Sequence, residues 1–217
     1  MLTHRSNVHP KRPCSGALST GLIALLVIVG LLVLVGGCGV QSYNGLADKR
    51  TKVDANWSQI DNQYKRRYEL VPNLVETVKG GAQFEQQTLT AVVEARAKVG
   101  QAQLPSSVPT DPAQLQAYIA AQQGLSGALG RLFALSENYP TLRATQGFLD
   151  LQAQLEGTEN RIAVARKDYI DAVQAYNSQL ARFPGNLIGG MFGFEERPQL
   201  SIPVEERAVP KVDFGGK

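Results

Sequence analysis

Residues 53–82 read VDANWSQIDNQYKRRYELVPNLVETVKGGA. Val53, Trp57, Ile60 and Tyr64 recur at intervals of four, three and four, and Tyr68, Val71, Val75, Val78 and Ala82 continue the stripe. Alternating threes and fours keep apolar side chains on one face of an α-helix, the seam pattern of a helix bundle. The intervening positions are Lys, Arg, Asp, Gln and Asn, which suit a solvated face. Two features interrupt the run. Pro72 lacks an amide hydrogen and kinks or restarts a helix. Gly80-Gly81 is a second weak point. Periodicity alone leaves open which of them is the turn.

Downstream the helical rhythm persists. Leu89, Val92, Val93 and Arg96 extend the seam, and the first amphipathic run ends near Val99. Leu104 to Pro112, with Pro105, Pro109 and Pro112, reads as a loop. Thr110 or Asp111 then caps a helix that carries Pro112 in its first turn. Over residues 112–135 the apolar side is Leu115, Ile119, Leu125, Leu129 and Leu132. Ser136 to Pro140 is a turn. A long helix follows from about Leu142 to Arg182, striped by Phe148, Leu151, Leu155, Ile162, Ala165, Tyr169, Val173, Tyr176 and Leu180. No strand alternation occurs before residue 199. Four amphipathic segments with short connections predict an all-α protein, an antiparallel up-and-down four-helix bundle over residues 41–183. Core packing is the ordinary role of every apolar residue in the stripe.

Upstream, residues 17–37, ALSTGLIALLVIVGLLVLVGG, hold no charged side chain. As a helix they span ~31 Å, the thickness of a bilayer's hydrocarbon core. They have no polar face, which a core helix of a soluble protein would show. Arg5, Lys11 and Arg12, in the flank at 1–16, place the N-terminus in the cytoplasm and the body outside it. Two readings of the segment stand. It is an uncleaved membrane anchor helix, or Val35-Gly36-Gly37-Cys38 is a lipobox and Cys38 becomes a lipidated N-terminus. The apolar run exceeds the ~7–15 residues usual for a signal peptide's core. Both readings tether the body to a membrane.

Charge and rare residues exclude several function classes. Three of the 22 Lys and Arg lie before residue 38 with no acid, leaving 19 against 19 Asp and Glu. The body is formally neutral, unlike a nucleic-acid binder. The cysteines are Cys14 and Cys38, and the histidines His4 and His9. The body therefore holds no internal disulfide, no zinc site built on His or Cys, no Ser-His-Asp or Cys-His arrangement and no Glu-x-x-His pair of a di-iron bundle. Glu85, Glu94, Asp150, Glu156 and Glu159 are carboxylates on helices, but no spacing forces two together for acid–base chemistry. No catalytic residue, cofactor or small-molecule substrate is expected.

Lys65-Arg66-Arg67, with Glu69, has two readings. Adjacent guanidinium groups hold phosphates, so the cluster is a candidate lipid-headgroup or membrane-shaping site. It also fits a solvated helix face with Asp61 and Glu69 as partners of Lys65. Its distance from the anchor, some 35–40 Å along a straight helix, favours the second. Trp57 fits the core or a partner-binding anchor. Asn73 is a candidate to satisfy the carbonyl that Pro72 frees. The tail at 184–217 carries Pro184, Pro198, Pro203 and Pro210, which forbid a long helix. Its Leu187, Ile188, Met191, Phe192 and Phe194 are too apolar to stand in water, so the tail folds back or forms a sticky surface, fold-back being the expectation.

These residues carry a resemblance. Tyr43 to Gly80, YNGLADKRTKVDANWSQIDNQYKRRYELVPNLVETVKG, resembles the signature of the LemA family. The matching pieces are Tyr43-Asn44, Arg50, Trp57-Ser58-Gln59-Ile60-Asp61, Lys65-Arg66-Arg67 and Leu70 to Lys79. Glu94-Ala95-Arg96-Ala97, Tyr139-Pro140, Tyr176-Asn177, Phe183-Pro184 with Asn186-Leu187, Phe192-Gly193-Phe194 and Val212-Asp213-Phe214 match too. At Phe84-Glu85 relatives more often show His-Glu. Cys38-Gly39 resembles the start of the lipidated members. The resemblance implies a bacterial membrane-anchored protein, a four-helix up-and-down bundle and no established reaction. Genes of the family often lie beside those of membrane proteases or other envelope proteins, and a related group acts in magnetosome membrane formation. By analogy the expected role is a scaffold or adaptor for envelope proteins. Candidate positions for partners or structure are Tyr43, Asn44, Arg50, Trp57, Arg66, Arg67, Pro72, Asn73, Phe183, Pro184 and Phe192, with Cys38 for lipid attachment.

Overall fold

The computed structural model describes residues 20–80, 84–102, 108–109 and 111–200. The basic flank, Cys14, both histidines, Gly81, Ala82, Pro105, Thr110 and the tail beyond residue 200 lie outside them. The chain divides into two units, up to Gln41 and from Ser42 onward. Six helices form among the described residues: α1 Thr20–Gly80, α2 Gln86–Gln101, α3 Pro112–Ser136, α4 Pro140–Arg143, α5 Gln146–Ala181 and α6 Gly185–Phe192. No strand occurs among them.

In the first unit the side chains from Leu22 to Val35, and Val40, are exposed. This part of α1 is long and apolar enough to cross a membrane. Nothing in the unit covers it, as expected where lipid is the solvent.

In the second unit α1 buries Leu46, Val53, Trp57, Ile60, Tyr64, Arg67, Val71, Leu74 and Val78. After Leu46 the steps are seven, then four and three in alternation, so the seam is heptad, with Val75 buried beside it. It corrects the sequence reading at two places: Arg67 occupies the seam while Tyr68 is only half-buried, and Leu74, which the stripe passed over, is buried next to Val75. α3 repeats the pattern through Leu115, Tyr118, Gln122, Leu125, Leu129, Leu132 and Ser136. α5 does so through Phe148, Leu155, Thr158, Ile162, Ala165, Tyr169, Val173, Tyr176 and Leu180. On α2 the seam is Leu89, Val92 and Val99, while Val93 faces solvent.

Rungs between α1 and α5 show their relative direction. Lys49 Nζ donates to the Ala175 carbonyl at 3.3 Å, Asn56 Nδ2 to the Asp168 carbonyl at 3.0 Å, and Arg161 Nε to Gln63 Oε1 at 3.1 Å. Each rung is seven residues further along α1 and seven further back along α5. The two helices are antiparallel and keep register over two heptads.

Pro72 does not end α1, which runs on to Gly80. A proline in a helix leaves the carbonyl four residues earlier without its donor, here that of Tyr68. Arg96 of α2 supplies the replacement: its Nε donates to the Tyr68 oxygen at 3.2 Å, and its guanidinium lies 3.8 Å from the Tyr68 ring centroid. The donor is therefore not Asn73, which is exposed. At the next break, Asp111 caps α3 by accepting from the Ala113 amide at 2.9 Å, with Pro112 in the first turn.

The described part of the tail folds back. Ile188 and Phe194 pack on the apolar cluster that contains Leu180, and Leu200 is buried. It contains a short helix, α6, that the prolines did not foretell. Glycine makes its docking possible. A Cβ at Gly185 would overlap the Gln179 carbonyl oxygen, and one at Gly189 would overlap the Leu180 side chain. Gly193, at φ +71°, closes the helix in the left-handed conformation.

Candidate functional site

The interior of the second unit falls into two apolar clusters. One surrounds Trp57, Tyr118 and Tyr169, and the other Leu74, Leu125 and Phe148. Polar residues separate them on three helices at the same level. On α1 Arg67 stands between Tyr64 and Val71, on α3 Gln122 between Ile119 and Leu125, and on α5 Thr158 between Leu155 and Ile162. Arg67, Gln122 and Thr158 are 1%, 2% and 0% exposed.

A buried guanidinium is tolerated only with several acceptors. Arg67 Nη1 donates to Glu159 Oε2 at 2.6 Å and to Ser126 Oγ. Its Nη2 donates to Gln122 Oε1 at 2.6 Å and to the Gln122 carbonyl at 3.0 Å. Ser126 Oγ donates in turn to Glu159 Oε1 at 3.0 Å. Arg67 Nε has no hydrogen-bond partner. Glu159 is 51% exposed, so the ion pair has one buried and one wet end. Thr158 satisfies its own hydroxyl on the Gln154 carbonyl at 2.7 Å. The layer binds α1, α3 and α5 to one another at a single level. Register, rather than proton transfer, is what this geometry supplies.

Below the layer lie tyrosines. Trp57 packs against the rings of Tyr118 and Tyr169 at 6.2 and 5.6 Å between centroids. Tyr118 donates to Asp61 Oδ1 at 3.3 Å. Burial raises Tyr118 and Tyr64 above the ordinary phenol range, and burial pushes Tyr169 up to about 12. Tyr169 and Tyr176 hold the tail, donating to the carbonyls of Pro198 at 3.3 Å and Glu195 at 2.9 Å. Asn177 pairs both ways with the Arg197 backbone, at 2.9 and 3.0 Å, and Arg197 reaches Asp54 at 3.5 Å.

The residues singled out in the sequence fall into separate places. Tyr43 meets Phe192 and Phe194 edge-on, at 4.9 and 5.5 Å between centroids. Phe183 and Pro184, joined by a cis peptide bond, lead into α6. Asn44, Arg50 and Arg66 are exposed, and Cys38 is exposed with a free thiol. Lys65, Arg66 and Arg67 do not form one patch, because Arg67 points inward. The helix carboxylates stay apart: Asp150 and Glu156 accept from Gln146 and Gln152 of their own helix, at 2.7 and 2.8 Å. No group of three or more metal-ligating side chains occurs among the described residues.

Gln122, Ser126, Arg96 and Asn177 were not singled out as site residues. The signal for Gln122 and Thr158 was a gap: the apolar stripe skips from Ile119 to Leu125 and from Leu155 to Ile162. Arg96 and Asn177 lay within motifs of the resemblance.

Residues 56–214 match the sequence model of the LemA family. Among curated relatives, Magnetosome protein MamQ 2 of Paramagnetospirillum magneticum is 25% identical over 211 residues, covering 86% of this chain and 78% of the relative. Magnetosome protein MamQ of Magnetospirillum gryphiswaldense is 23% identical, covering 85% and 76%. Protein LemA of Metamycoplasma hominis is 24% identical over 145 residues, covering 67% and 62%. With its heptad seams, polar layer and apolar N-terminal helix, matched along most of its length, the chain belongs to the LemA family.

Proposed function

We propose that this chain is a non-enzymatic, membrane-tethered scaffold whose body is an up-and-down four-helix bundle of α1, α2, α3 and α5. The N-terminal apolar part of α1 is the tether, and the body stands outside the cytoplasm by the charge asymmetry of the N-terminal flank. The α1–α5 rungs and the polar layer support the bundle reading, because they pin three helices in register. The scaffold reading rests chiefly on one observation. The α1–α5 seam opens into two surface grooves, of about 460 and 430 Å³. Asn56 and Asp168 line both, with Gln63, Arg161 and Val164 on one side and Lys49, Lys52 and Asp171 on the other. Mixed charges and amides around small apolar spots suit a partner's helix or loop. The relatives named as magnetosome proteins are consistent with work at a membrane.

A photo-crosslinking amino acid at Val164, on the full chain in its native membrane, tests this. The expected result is a discrete adduct with another envelope protein, absent when the crosslinker is at Val93 of α2. Equal, diffuse crosslinking from both positions overturns the groove as a partner site. The alternative use of the cluster at 65–67 for lipid headgroups loses its third cation to the core and is not favoured.

A further inference from the structure

Among the described residues outside the tether, exposed large apolar side chains are concentrated at one end. They are Tyr43, Phe183, Leu187, Met191 and Phe192, against Val93, Leu149 and Val164 scattered elsewhere. Leu187 and Met191, four residues apart, share one face of α6, and Phe183 stands at its entry. Phe183 and Met191 are 79% and 76% exposed. The opposite face carries Gly185, Ile188 and Gly189 and is seated on α5 and the core. From Phe183 to Phe194 there is no charged residue. An outward apolar helix face of this kind is costly in water and requires an occupant.

Chain connectivity points to that occupant. Phe192 and Phe194 touch Tyr43. Tyr43 is six residues beyond Gly37, where the apolar segment ends. Six residues span at most ~21 Å in any conformation. If the segment is tethered in a bilayer, the α6 face is therefore within reach of the bilayer surface. Aromatic side chains with a polar tip, such as Tyr43, favour that boundary.

We propose that α6 is a second membrane contact: the face of Leu187 and Met191, with Phe183 at its entry, lies in the bilayer interface. A short helix in this position sinks its apolar face ~5–10 Å into the headgroup and upper acyl region. The absence of charge on the face makes the contact independent of anionic lipid. The inference rests on the tether proposed above.

The test uses tryptophan as a depth reporter in the chain purified from membranes and placed in phosphatidylcholine nanodiscs, with plain or mid-chain-brominated lipid. Three single variants are compared with the parent, whose buried Trp57 supplies a constant background: Met191→Trp on α6, Val33→Trp within the tether and Val164→Trp on α5. The expected result is a blue-shifted added emission for Met191→Trp and Val33→Trp, mostly lost in brominated lipid, with Val164→Trp red-shifted and unquenched. Quenching at Val33 but not at Met191 overturns the α6 contact and leaves the tether standing. No quenching at Val33 overturns the tether, and the inference falls with it. A blue-shifted but unquenched Met191→Trp means that protein covers the face, which overturns the lipid assignment. Quenching at all three positions overturns it as well.

Discussion

At Arg67 and Glu159 the asymmetry of burial decides what each substitution does. Arg67 has no access to water, whereas Glu159 is half-solvated. Removing the acid strands a buried cation, while replacing the cation with an apolar side chain removes the problem. Glu159→Ala is therefore expected to destabilise the body by about 2–3 kcal/mol. Arg67→Met should cost less than that, within about 1–2 kcal/mol, and the double variant should resemble Arg67→Met. Urea unfolding midpoints of the three variants check the order. A larger loss for Arg67→Met than for Glu159→Ala would show that the layer's hydrogen bonds outweigh its desolvation. At Gly185 the argument is steric. A methyl group would press on the Gln179 carbonyl, so Gly185→Ala should lower stability by roughly 1–3 kcal/mol, read as a lower Tm.

At the level of the element, α1 passes through a proline because α2 completes its hydrogen bonding. Arg96→Ala orphans the Tyr68 carbonyl and should cost about 1–3 kcal/mol. In a Pro72→Ala background the residue-72 amide can reach that carbonyl, and the cost of Arg96→Ala should shrink. A coupling of about 1 kcal/mol in the double-mutant cycle is expected, and a coupling of zero would refute the substitution of donors. Much of this element was legible beforehand. The spacing from Val53 to Val78 named the seam except at Tyr68, where the buried residue is its neighbour Arg67, and at Leu74, buried beside the Val75 that the stripe named. Periodicity places a face to within one residue, and a charged side chain argues against burial until its acceptors are known. Those acceptors, Gln122, Ser126 and Glu159, lie 55 to 92 residues away. Arg96, which serves the Tyr68 carbonyl from 28 residues away, was hidden for the same reason. Tail helix α6 was illegible for a different reason: proline spacing limits length but leaves room for eight residues.

At the scale of the whole molecule, four buried tyrosines set an alkaline limit. Burial raises Tyr64, Tyr118, Tyr169 and Tyr176 above the ordinary value near 10. A group with a raised folded pKa contributes its full stability below its unfolded pKa and loses it as pH rises. Stability should therefore be flat with respect to these groups up to about pH 9. It should then fall between about pH 10 and 12, phenolate absorbance rising together with loss of helix. Phenolate formation near pH 10 without unfolding would show that the phenols are accessible. The state of the tether is a separate question. Intact mass of the membrane-extracted protein, beside a Cys38→Ala control, is expected to show either an unmodified full-length chain or a species starting at Cys38 with a diacylglyceryl adduct. Only the second identifies a lipoprotein, and its absence assigns the segment as an uncleaved anchor.

The sequence by itself determined that the protein is helical, that residues 17–37 form an apolar segment of bilayer length, and that the body lacks thiols and imidazoles. These follow from local spacing and composition, which need no knowledge of distant partners. Its family was legible from short motifs for the same reason. Tertiary structure alone decided that Arg67 is a buried register element rather than part of a basic surface. It also decided that Arg96 carries α1 through Pro72, and that α6 is seated by glycines with its apolar face turned outward. Each of these depends on which groups lie opposite across the fold, and burial and hydrogen bonding between remote residues are properties of the packed chain.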